Sequence, residues 1–199
     1  MSTARSGPQR PSLLQGAAFT LLETLIVITL AALLLTLSVG GFQGMIAAQR
    51  LASAATTLEN ELRLAASMAV KENRAIYLRF VKSADLSTGG PPQYRGWQLV
   101  ALDPATGGLQ DLARQQLPEG VIIFDHPDYA NILQLQPAAG PSLVLGFTQA
   151  GSTTLPKTTG GRWCLTLIEE SKITTAADKP PKNYRTLVIN AHTGGVAVY

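Results

Sequence analysis

Three hydrophobic patterns follow one another along the chain. From Phe19 to Val39, 21 residues are almost wholly apolar, with Glu23 as the one charge. A helix of that length reaches about 30 Å, the thickness of a bilayer's hydrocarbon core. Gly40, Gly41 and Gly44 then weaken the helical pattern, and a break or bend is expected there. Beyond them, steps of four, three, four, three and four bring Leu51, Ala55, Leu58, Leu62, Ala65 and Ala69 onto one helix face. Arg50, Glu59, Arg63 and Lys71 fall on other faces. The stripe is too short and too rich in alanine for a coiled coil, so it is expected to pack on a sheet. Asn73 reads as the stop.

After Asn73 the period becomes two. In "AIYLRFV", Ile76, Leu78 and Phe80 face one side. "GWQLVALD", "GVIIFD", "SLVLGFT", "RWCLTLI", "RTLVINA" and "VAVY" read as further strands, separated by turn signals such as "DPATGG", "LPEG", "QAGS" and "HTGG". No helix of useful length stands between them. Parallel crossovers need a dozen or more residues, so the strands are expected to pair antiparallel. The fold class is α+β: a long N-terminal helix packed on an antiparallel β-sandwich or curled sheet. Residues 169–183 and 125–141 are the longest loop candidates.

Composition changes this picture little. The 199 residues are 46% hydrophobic and 15% charged, and much of the apolar excess lies in the opening run. The net charge of +3 owes two charges to Arg5 and Arg10, ahead of that run; the rest carries 14 basic against 13 acidic side chains. Such a balance gives no strong footprint for nucleic acid or anionic lipid. The single cysteine, Cys164, cannot form an internal disulfide and reads as a buried strand residue.

The opening run has competing readings. A secretory signal has an apolar region of about 7–15 residues before its cleavage site, and "SVGG" at Ser38 to Gly41 imitates such a site. The run is too long for that reading to lead. As a span, it would keep the basic leader in the cytoplasm and the remainder in a periplasm-like space. Glu23 then needs a reason, because an acid inside a membrane helix costs roughly 2.5–3.5 kcal/mol. It either reaches the membrane face from the first turn or pairs with a cation from outside the run.

"AFTLLETLIVITLAALLL" resembles the class III signal of type IV pilins and of the pseudopilins of type II secretion. The resemblance implies a cut by prepilin peptidase between Ala18 and Phe19, N-methylation of Phe19, and Glu23 as the fifth mature residue. Alanine stands at 18 where that family usually has glycine. It further implies that Glu23 meets the N-terminal amine of a neighbouring subunit during assembly. Such an amine is cationic near neutral pH, and a buried carboxylate and a buried ammonium offset each other's desolvation only when paired. "LRLAASMAVKENRAIYLRF" is similar to the GspH/FimT minor pseudopilins. "YRGWQLVALDPATGG", "LPEGVIIFD", "GRWCLTL" and "LVINAHTGGVAVY" resemble the prepilin-type Verru_Chthon cassette protein D group.

Four segments result: a cytoplasmic leader at 1–18, a transmembrane helix at 19–42, an amphipathic helix continuing from it at 43–74, and a periplasmic antiparallel β domain at 75–199. The resemblance implies a single-pass inner-membrane subunit that enters a short filament. Its expected partners are prepilin peptidase, other pseudopilin or pilin subunits, inner-membrane lipid and secreted cargo.

No site for catalysis, metal or cofactor stands out. His126 and His192 lie apart and lack neighbours at metal-ligand spacing. "DPATGGLQD" (103–111) lacks the acid alternation and closing Glu of a calcium loop. No phosphate loop or nucleophile elbow occurs, and an enzyme is not expected. Lys172, Lys179, Lys182 and Arg185 keep open a DNA-binding minor pilin for uptake, although Glu169, Glu170 and Asp178 are interleaved with them and nucleic acid is not the favoured partner. A membrane-anchored β domain that never polymerises is the other alternative.

Overall fold

Thr20 precedes, and Leu21 begins, a helix α1 that spans Leu21–Lys71. The computed structural model describes residues 20–84, 91–103, 106–135, 144–157, 162–173 and 179–199, without the side chains of 37–43. Gly40, Gly41 and Gly44 do not end α1, so the expected break is not found. Each glycine costs about 1 kcal/mol in helix propensity, and the leucines and alanines on both sides of them offset that.

The chain divides into two compact units, Met1–Gln43 and Gly44–Tyr199. In the first, the apolar side chains between Leu21 and Leu35 are exposed. Among the described residues no helix is long and apolar enough to cross a membrane. The side chains described in the apolar run are those of residues 20–36.

In the second unit the predicted stripe is buried: Leu51, Ala55, Leu58, Leu62, Ala65 and Ala69 are each at most 1% exposed, and Ala54 joins them. Their partners in one core include Ile76, Leu78, Trp97, Leu99, Leu165, Leu167, Leu187 and Ile189. The alanines let the helix lie close to the sheet, while each fully buried leucine contributes about 1.5–3 kcal/mol. The helix ends as its sequence suggests. Asn73 takes φ 50°; its N–H donates to the Val70 carbonyl, and the Arg74 N–H reaches back to that of Ala69. This is a Schellman closure with asparagine in the left-handed position.

Among the described residues eight strands form one antiparallel sheet: β1 (Ile76–Ser83), β2 (Gln93–Leu102), β3 (Leu109–Gln116), β4 (Val121–Ile123), β5 (Leu145–Phe147), β6 (Trp163–Glu169), β7 (Tyr184–Ile189) and β8 (Val196–Val198). Their order is β5-β1-β2-β4-β6-β7-β8, with β3 paired to β2 alone. The antiparallel expectation holds, in a single sheet and not in a sandwich. The alternation in β1 puts Ile76, Leu78 and Phe80 into the core. On the other face a small cluster of Ile122, Phe124 and Ile168 is covered by Tyr129 and Ile173.

The loop candidates contain structure. Residues 131–135 form a 3-10 turn, and so do 170–172. The remainder of the first (136–141) and 174–178 of the second lie outside the described residues.

β3 has no counterpart in the hydrophobic pattern. Its register against β2 slips between Leu99 and Val100: Leu99 faces Ala113, Val100 faces Asp111, and Leu112 is the extra residue. This is a β-bulge. At the far end of β3, Gly96 faces Gln116. A Cβ on Gly96 would fall 2.5 Å from the Gln115 carbonyl oxygen, so β3 closes on β2 only because that position carries no side chain.

Candidate functional site

The N-terminal feature is built from the first turn of α1. Thr20 caps the helix: the Glu23 N–H donates to its carbonyl at 3.0 Å and to its Oγ1 at 3.2 Å, and the Thr24 N–H donates to the same carbonyl. Thr20 and Glu23 thus hold the first and last positions of a T-x-x-E start signal, which the pattern of the run concealed. A carboxylate here also faces the positive end of the helix dipole.

The hydroxyls along the run are satisfied within it. Thr24 Oγ1 donates to the Leu21 carbonyl at 2.9 Å, Thr29 Oγ1 to those of Leu25 and Ile26, and Thr36 Oγ1 to that of Leu33 at 2.8 Å. Glu23 is exposed and has no cationic partner among the described residues. Ala18 and Phe19 lie outside the described residues.

The other candidate residues do not converge. Lys172 is held by Glu169 at 2.7 Å, and this contact keeps the Glu169 carboxyl below its ordinary range. Lys179 and Lys182 are exposed, while Arg185 is half-buried on β7. His126 is half-buried and stacks on Phe124, with ring centres 5.5 Å apart; its Nδ1 accepts from the Asp128 N–H. Its ring packs within the 124–130 segment, between Phe124 and Tyr129. His192 lies exposed in the β7–β8 turn. Among the described residues no three His, Cys, Asp or Glu side chains gather as metal ligands.

Cys164 is half-buried, not fully buried. Its Sγ donates towards Asn131 Oδ1 at 3.5 Å, and its N–H bonds the same oxygen at 2.8 Å. Asp103 and Asp111 do not share a site: the first accepts from Thr106 Oγ1 in a turn, and the second stands in β3. A cavity of about 320 Å³ lies among Ala47, Arg50, Glu119, Gly120, Val121, Glu169 and Ser171. Its charges are one cation and two carboxylates, one of them already held by Lys172, so it offers no convergent chemistry.

Residues 54–192 match the family described as type II transport protein GspH. The chain belongs to the GspH family. The match begins within the buried stripe of α1 and runs through β7, so the GspH assignment rests on the helix-on-sheet unit and not on the apolar run. The chain is therefore a GspH-type pseudopilin, of a family whose role is structural and whose members have other pseudopilin subunits as partners.

Two solved structures of the minor pseudopilin EpsH from the type II secretion system of Vibrio cholerae are similar to this GspH protein. One has a TM-score of 0.47 at 13% identity, covering 75% of this chain and 96% of that one. The other has a TM-score of 0.46 at 14% identity, covering 77% and 94%. No curated protein matches.

Proposed function

We propose that this chain is a minor pseudopilin cut by prepilin peptidase between Ala18 and Phe19, methylated on Phe19, and assembled into a short filament of a type II secretion or type IV pilus-like system. Residues 19–42 anchor it in the inner membrane before assembly, with the leader in the cytoplasm and the β domain in the periplasm. Glu23 then meets the Phe19 amine of a neighbouring subunit.

The observation that carries this reading is the isolation of Glu23. Every described threonine along the run bonds within its own helix, while this carboxylate is exposed and has no cation beside it among the described residues. A dry environment therefore leaves one group needing a partner, and that group stands four residues after the proposed new chain end. The family match supports the secretion context. The DNA-uptake alternative loses one of its four cations to Glu169.

Mass spectrometry of the mature N-terminus tests the proposal. A methylated Phe19 is the expected first residue. An intact Met1, or a cut after Gly40, would remove the pseudopilin processing route.

A further inference from the structure

β3 is paired on one side only. Its partner is β2, and among the described residues no strand lies along its other edge. Six of its eight side chains are exposed. An unpaired edge of this length is a template for another strand.

Two hydrogen bonds fix which backbone groups face outward. The Leu117 N–H donates to the Arg95 carbonyl at 2.8 Å, and the Asp103 N–H to the Gly108 carbonyl at 2.9 Å. Bonded and non-bonded pairs alternate in an antiparallel ladder. Counting from Leu117, Gln115 and Ala113 bond to β2; counting from Gly108, Gln110 does. The backbone groups of Leu109, Asp111, Arg114 and Gln116 therefore point away from β2.

The bulge sets the side chains. Asp111 faces Val100 and Arg114 faces Gln98. Val100 and Gln98 share a face of β2, and opposed residues share a face of the sheet. Asp111 and Arg114 thus lie on one face, although residues three apart in a regular strand alternate. Both are exposed, and neither has a hydrogen bond or ion pair among the described residues.

A second β3, laid antiparallel about a two-fold axis between Leu112 and Ala113, sets 109 opposite 116, 110 opposite 115 and 111 opposite 114. Each outward-facing backbone then meets an outward-facing backbone. Each Asp111 meets an Arg114 on the same face, twice by symmetry. We propose that β3 is a self-complementary edge through which two copies of this chain pair, Asp111 of each facing Arg114 of the other. Charges on an edge ordinarily keep strands apart. Here a slip of one residue would remove both ion pairs and set inward-bonded groups against outward ones. The pairing does not depend on processing of the N-terminus.

Two experiments on the full-length chain in detergent test the pairing. The first measures dimer dissociation at low salt for D111R, R114D and the D111R/R114D double variant. Each single reversal is expected to raise the Kd about tenfold, and the double variant to return to within about twofold of wild type. Association through the apolar helix is untouched by these changes, so equal Kd values for all four proteins overturn the proposal. The second experiment uses a Cys164→Ser background. Mixing D111C chains with R114C chains is expected to give an oxidative cross-link, because bonded pairs sit about 5.5 Å apart at Cα, within disulfide reach. Each variant alone is expected to stay at background, because like residues would lie about 10 Å apart along the strands. No cross-link in the mixture, or equal cross-linking by each variant alone, overturns the proposal.

Discussion

Arg95 in β2 meets Glu170, 75 residues further along the chain, with two guanidinium nitrogens against two carboxylate oxygens. The Nη1–Oε2 distance is 2.7 Å. The side chains are 17% and 24% exposed. The fork sits where the sheet is thinnest, since β2 and β4 share only the Tyr94–Ile123 pairing. A side-chain clamp there does what a longer ladder does elsewhere. Glu170→Gln keeps the shape and loses the charge; Arg95→Lys keeps the charge and loses the fork. Each is expected to lower stability by about 1–3 kcal/mol, read as a shift in the urea midpoint. Unchanged midpoints in both would show that the clamp contributes nothing.

The helix stripe makes a sharper contrast. Leu62 is fully buried against the sheet, and Leu64, two residues on, is 47% exposed. Leu62→Ala is expected to cost about 2–5 kcal/mol, the range for a leucine removed from a packed core. Leu64→Ala is expected to stay within about 0.5 kcal/mol. Thermal unfolding of the two variants side by side checks both values, and similar losses would contradict the packing described.

Acid is expected to erase one contribution selectively. The Lys172 ammonium bonded to Glu169 holds that carboxyl below its ordinary value of 4.5. The folded state therefore binds this proton less readily than the unfolded chain, and the pair stabilises above the ordinary value. The contribution is lost as pH falls through the folded value. Glu169→Gln is expected to be less stable than wild type at pH 7 and to converge with it in acid. A stability gap that stays constant from pH 7 to pH 3 would rule out this linkage.

Glu23 stands in the first turn that Thr20 caps and, in the proposed function, forms a charge pair, and one substitution separates the two. Glutamine fits the same capping spacing as glutamate but brings no charge. Glu23→Gln is expected to leave helix content unchanged by circular dichroism and to abolish recovery of the chain in sheared filaments. Filament recovery equal to wild type would mean that the charge has no part in assembly.

Much of this architecture could be read from side-chain periodicity, because one-sided burial imposes it. Leu51 to Ala69 recur at helical spacing because they share one sheet, and Ile76, Leu78 and Phe80 alternate because the strand has one dry face. Asn73 announced the helix end by tolerating a left-handed backbone. β3 was silent for the converse reason: in "LQDLARQQ" only Leu109 and Leu112 are half-buried, too few to make a period, and the strand is held by backbone pairing with β2 and by the gap at Gly96. The Arg95–Glu170 fork joins two segments that no local rule connects. Cys164 was expected to be buried as a small apolar residue; hydrogen bonds to Asn131 place it half-open instead. At the N-terminus Glu23 was visible as an anomaly, whereas the cap formed by Thr20 was masked by the apolar residues around it.

The threonines of the apolar run have one more effect. With their hydroxyls turned onto the preceding carbonyls, they present hydrocarbon to whatever surrounds the helix. Lipid tails and the leucines of a neighbouring helix are nearly equivalent solvents for such a surface. In the proposed function, moving the segment from one to the other therefore changes its solvation energy chiefly at a single carboxylate, Glu23.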